Sequence, residues 1–235
     1  MKSSRSKNGI FSERPYFKDD EIETICSDEL SSVGLLPSNP EPIRIDRFLE
    51  KRFGVSHRYE DLPDGVLGLT LFGSKGAEAV LVSRALDDEA TTVADRRVRS
   101  TLAHEAGHCL LHSHLFALGQ ANPLFGDFSN PLKPKILCRD IVTLDGRSNA
   151  GYDGKWWEFQ ANSAMGSLLL PRILVERALE QFLISQGSFG LKRIDPARRP
   201  IAARHLCELF DTNPIVARLR IDRLYPPADN LQFTL

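Results

Sequence analysis

Residues 101–112 read TLAHEAGHCLLH, which contains an H-E-x-x-H pattern at His104, Glu105 and His108. The apolar spacing around it predicts a helix over 92–116. On a helix, positions i and i+4 share a face, so both imidazoles can reach one ion, while Glu105 is turned about 100° aside. A carboxylate in that place suits a group that polarises a metal-bound water without ligating the metal. The alternative is two solvent-facing histidines on an amphipathic helix. A catalytic zinc needs a third protein ligand and one open position. Residues 158–162, EFQAN, supply E-x-x-x-N on a second predicted helix, with Glu158 and Asn162 one turn apart. Glu158 can complete a His2Glu shell, and the Asn162 side-chain oxygen can accept the other ring N–H of a ligating histidine.

Outward from this pair, residues 66–72 (VLGLTLF) and 78–82 (EAVLV), separated by glycines at 73 and 76, predict two strands joined by a tight turn. IRIDRFLEKRF at 43–53 predicts a short amphipathic helix ended by Gly54. Leu-rich helices are expected over 156–170 and 172–185, broken at Pro171. Residues 117–154 carry Pro123, Pro131, Pro134 and five glycines and read as loop, with one strand over 136–143. Strands come early and helices later, which points to an α+β fold. Residues 1–42 hold five Lys/Arg, eight Asp/Glu and four prolines, the composition of a mobile polar tail.

The two motifs together, TLAHEAGHCLLH and WWEFQANSAMGSLLLP, resemble the ImmA/IrrE family of zinc metallopeptidases, a gluzincin branch. The resemblance runs over roughly residues 43–225. It implies a small antiparallel sheet packed on a zincin-type active-site helix pair within a peptidase domain at 43–190. It also implies zinc on His104, His108 and Glu158, with Glu105 as catalytic base. Two departures stand out. Fifty positions separate His108 from Glu158, so 117–154 reads as an insertion able to cap the cleft, and Gln160 stands where many relatives carry a second Glu.

For the oxyanion of peptide hydrolysis, Tyr152, His112 and His114 are the candidate stabilisers. His112 could instead compete as a third ligand, pack beneath the site or cap the helix, and His114 suits the surface. Trp156 and Trp157 suit the core or a cleft wall. Cys138 suits either a buried apolar position or an inhibitory thiolate, and Cys109 suits the core. Phe116, Phe125 and Phe128 could grip an apolar side chain or merely anchor the loop.

Residues 191–235 read as a helix-turn-helix-like element: AARHLCELF at 202–210, a turn, then PIVARLRIDRL at 214–224, with Asn213 as cap and Pro214 at the first helical position. Residues 192–224 carry eight Lys/Arg against four Asp/Glu. Packing or partner recognition is preferred here to direct DNA binding, because Asp211 stands where the turn usually has Gly.

Composition narrows the classes. The chain has 235 residues, 42% of them hydrophobic and 26% charged, with a formal charge of −1, which removes fibrous and wholly disordered readings and any global basic field. The longest apolar runs are too short to span a bilayer, and the N-terminal residues do not read as a secretory signal. The four cysteines lack CxxC spacing. A reduced, cytoplasmic zinc endopeptidase without a membrane partner is expected. By resemblance its substrate is a DNA-binding helix-turn-helix repressor, cut to relieve repression under stress. The alternative is a non-catalytic metal-sensing or DNA-binding regulator that keeps the peptidase fold.

Overall fold

A computed structural model describes residues 2–5, 13–73, 75–119, 135–139, 156–186 and 191–227. Strands β1 (Lys2–Arg5) and β2 (Glu13–Tyr16) pair antiparallel and lead into α1 (Asp19–Ser32) and α2 (Ile45–Phe53). Strands β3 (His57–Glu60), β4 (Val66–Gly73) and β5 (Gly76–Ser83) follow, then the short α3 (Arg84–Asp88) and the long α4 (Thr92–Gly119). Next come β6 (Lys135–Arg139), α5 (Trp156–Leu169), α6 (Arg172–Ala178), and strands β7 (Leu183–Gln186) and β8 (Leu191–Ile194). Helices α7 (Arg199–Leu209) and α8 (Pro214–Leu224) complete the α+β architecture.

The main sheet has the order β3-β5-β4-β6. It is mixed rather than antiparallel throughout: β4 pairs antiparallel with β5 and β6, but β3 runs parallel to β5. On β4, Val66, Gly68, Thr70 and Phe72 alternate onto one face and all are buried, as a period of two requires. α4 packs on this sheet, and α5 packs against α4. Residues 101–109 of α4 are buried at every position, so this helix is the centre of the molecule.

The polar N-terminal segment is not all a mobile tail. Its residues Asp19–Ser32 form a helix whose Ile22, Cys26 and Leu30 are fully buried, at spacing i, i+4, i+8. Acidic side chains in the first turn (Asp19, Asp20, Glu21) oppose the positive end of the helix dipole, and Glu21 accepts from the Lys18 backbone N–H at 2.8 Å. One hydrophobic cluster runs from Ile22 through α2, α4 and α5 to Ile221 and Tyr225. The C-terminal element therefore shares that core, and the β7–β8 hairpin crosses the expected division at 190/191. α6 also ends at Ala178 rather than near 185. Phe182, buried in a 3-10 turn, stops the helix, and Leu183-Ile184 pair as strand instead.

The α7–α8 hairpin forms as the sequence predicts. Asn213 Oδ1 caps α8 by accepting from Ile215 N–H at 2.9 Å. Asp211 adopts φ 47°, a left-handed conformation that a short polar side chain tolerates, and accepts from Arg96 Nε at 2.9 Å. Two of the three basic residues of α8 turn inward, while Arg218 is exposed. Arg220 is buried on Glu23 of α1 and also donates to the Leu170 carbonyl at 2.9 Å, and Arg223 pairs with Asp19. Desolvation pushes the Glu23 carboxyl up, but the hydrogen bonds and charge of Arg220 outweigh it and hold the carboxyl below 4.5. A depressed folded pKa gives stability that is complete above the unfolded value and lost as pH falls through the folded one. Glu23→Gln is expected to cost about 3 kcal/mol at pH 7, because it strands a buried guanidinium, and to flatten the loss of stability below about pH 4.5. Urea denaturation at pH 7 and pH 4 measures both. Among the described residues no helix is long and apolar enough to cross a membrane.

Candidate metal centre

α4 and α5 come together at a glycine. A Cβ added at Gly107 would lie 3.0 Å from the Ala161 carbonyl oxygen and 3.0 Å from Ala164 Cβ. The fourth position of the HExxH segment is thus where α5 touches α4, and this contact sets the distance between Glu158 and the histidines. Gly107→Val is expected to wedge the helices apart, costing about 1–3 kcal/mol as an overpacked contact. It should also weaken metal binding by at least about tenfold as the carboxylate draws away. Denaturation and chelator competition read the two effects.

His104, His108 and Glu158 form a group able to hold a metal ion. His104 Nε2 and His108 Nε2 are 3.0 Å apart, and Glu158 Oε2 lies 3.1 Å from the first and 3.6 Å from the second. Tetrahedral bonds of about 2.0–2.1 Å put donor atoms about 3.3 Å apart, so the triangle has the size of one face of such a shell. Two imidazoles and a carboxylate suit zinc and neighbouring divalent ions. The histidines are 1% and 0% exposed, which removes the solvent-facing alternative, whereas the Glu158 side chain is 22% exposed and marks the side of entry.

The electrostatics keep these groups ready to ligate. Burial lowers the His108 pKa to about 4, against the neighbouring Glu158 carboxylate that raises it, so the ring is neutral at pH 7. Burial pushes the Glu158 carboxyl up, but the imidazoles of His104 and His108 beside it dominate and hold it well below the usual carboxylate range. Its place in the first turn of α5 also suits an anion. Asn162 Oδ1 lies 2.9 Å from His104 Nδ1, so it accepts that N–H and leaves Nε2 turned to the site.

Glu105 is buried on the sheet side of α4, where the Thr70 hydroxyl donates to its Oε2. Gly68 permits the approach: a Cβ there would lie 2.4 Å from Thr101 Cγ2 and 2.9 Å from Glu105 Oε1. Sequence reasoning missed Thr70 and Gly68, although a lone hydroxyl and a glycine in an apolar strand are a signal for a close polar contact.

His112 is neither the third ligand nor an oxyanion partner. Its ring is fully buried behind His108, with Nδ1 3.0 Å from His108 Nδ1 and Nε2 3.0 Å from Gln160 Oε1, so both nitrogens are already engaged. Burial, chiefly, holds its pKa well below 6.5. His114 lies on the exposed surface. Trp156 is buried edge-on to His112 and Trp157 packs beside it, both next to Phe72 and Leu115. Cys109 is buried, as expected. Tyr152, Phe125 and Phe128 lie outside the described residues, as do the side chains of Cys138 and Phe116.

No family model, curated protein or solved structure matches the chain.

Proposed function

We propose that the protein is a zinc-dependent endopeptidase. The observation that carries this reading is the convergence of His104, His108 and Glu158 on one point, with Glu105 the next residue along α4. A zinc ion held by these three side chains would supply Lewis acidity and a water acidified towards about pH 7. Glu105 receives the proton of the attacking water on its carboxylate and passes it to the nitrogen of the leaving amine. Thr70 fixes the plane of that carboxylate, and Asn162 holds the His104 ring in register with the ion. The burial of both histidines excludes bulk water and strengthens each charge interaction.

The resemblance in the two motifs extends the proposal to a zincin-type helix pair and to a helix-turn-helix repressor as substrate, in the cytoplasm. The rival, a regulator that binds DNA itself, is disfavoured by the inward ion pairs of Arg220 and Arg223. Cleavage of candidate repressors by the zinc-loaded chain, beside a Glu105→Ala control at equal zinc content, tests the proposal. Loss of cleavage on chelation and its return with zinc are expected; equal cleavage by the control overturns it.

A further inference from the structure

Behind His108 the buried hydrogen bonds form one line whose direction is fixed from its far end. The Pro15 carbonyl on β2 can only accept, so the Gln160 Nε2 amide, 2.9 Å away, donates to it. That orients the amide and puts Oε1 against His112 Nε2 at 3.0 Å. An amide oxygen accepts, so His112 carries its hydrogen on Nε2. A fully buried imidazole is held neutral by desolvation, and a neutral ring protonated at Nε2 has a bare Nδ1. One hydrogen must sit in the 3.0 Å gap between the two Nδ1 atoms, and His108 is the ring that supplies it. With its hydrogen on Nδ1, His108 leaves Nε2, the atom beside His104 and Glu158, to a metal.

We propose that Gln160 is a positioning residue of the metal centre: held by the Pro15 carbonyl and acting through His112, it decides which nitrogen of His108 bears the proton. The inference rests on the metal-centre reading for its consequence, while its geometry stands without it. It makes strand β2, 145 residues away in the chain, part of the metal site. It also accounts for an amide at 160, since a carboxylate there could not donate to a carbonyl.

Nitrogen-15 NMR of the histidine rings tests this on the full-length, metal-free chain at pH 7. His108 is expected as the Nδ1–H tautomer and His112 as the Nε2–H tautomer. Gln160→Met removes both hydrogen bonds, so the His112 tautomers should mix. Zinc affinity, read with zinc alone against a chromophoric chelator, should fall about 10–100-fold. Gln160→Glu cannot donate to the Pro15 carbonyl, so it should not restore the His112 tautomer, and affinity should stay at least about tenfold below wild type. If both variants merely melt lower, with tautomers and affinity unmoved, Gln160 is only structural and the proposal is overturned. A wild-type His108 protonated on Nε2 overturns it whatever the variants do. A wild type with the stated tautomers and zinc affinity but no cleavage of any protein supports this inference and removes the peptidase reading.

Discussion

Glu158→Ala is expected to empty the metal centre. The change deletes the only carboxylate of the three-residue group and leaves two imidazoles whose Nε2 atoms face each other at 3.0 Å. Removing an outer partner of a ligand costs about 10–100-fold in affinity, and loss of an anionic ligand should exceed that range. Two imidazoles also lack the charge that offsets a divalent cation in a buried site. Zinc content after gel filtration reads the loss, and circular dichroism checks that α4 and α5 remain. The backbone should survive, because α5 is held by Ala161, Ala164, Leu168 and Leu169 in the core and by the Gly107 contact, none of which involves residue 158. A Glu158→Ala chain that keeps one equivalent of zinc would remove Glu158 from the shell.

The parts of the fold that carry a clean period were readable in the sequence. β4 and β5 alternate around a glycine turn, α4 carries its motif within one continuous 28-residue helix, and α7–α8 has a proper cap at Asn213. The readings that failed did so where a local average hid a pattern. The charge and proline count of residues 1–42 averages away the Ile22, Cys26, Leu30 stripe of α1, and the charge opposite Glu23 lies on Arg220, 197 residues further on. Nothing local could reveal that partner. Propensity likewise extends a Leu-rich helix past Ala178, but the pairing of 183–186 with 191–194 is a long-range outcome that overrides it. At the site, spacing sufficed for His104, Glu105 and His108, because i, i+4 geometry is local. The 3.1 Å closure by Glu158 depends on Gly107 and the packing of two helices.

Polar residues gather in two hydrogen-bonded groups inside a largely apolar centre. Thr70, His104, Glu105, His108, His112 and Gln160 are all buried between the sheet and α5. Such a cluster costs free energy unless its members satisfy one another, and an apolar core of the same volume would fold at least as well. The proposed metal centre accounts for six polar groups kept there, four of them ionisable, at a cost in stability. The hydrogen bonds among them run in two directions from the metal ligands. Asn162 steadies His104, and His112, Gln160 and Pro15 steady His108. In the proposed centre each ring is thereby set before an ion arrives, so less ordering remains to be done on binding.

Glu105→Ala should separate binding from turnover. Glu105 is outside the ligand group, on the sheet side of α4, so zinc content is expected to match wild type. Loss of a general base lowers turnover by about 10²–10⁴-fold, and a residue serving both the attack and the departure of the amine should lie at the upper end. Stability moves the other way. Losing the Thr70 hydrogen bond costs about 1 kcal/mol, whereas removing a wholly buried carboxylate relieves a desolvation penalty of several kcal/mol. The variant is therefore expected to melt no lower than wild type, the pattern of a residue kept for activity at the expense of stability. Zinc analysis, a cleavage assay and thermal unfolding on one preparation decide it. Full zinc with cleavage near the wild-type rate would take the base role from Glu105. Lost zinc would make Glu105 part of the metal shell, and a large drop in melting temperature would make it a structural residue of the β4–α4 contact.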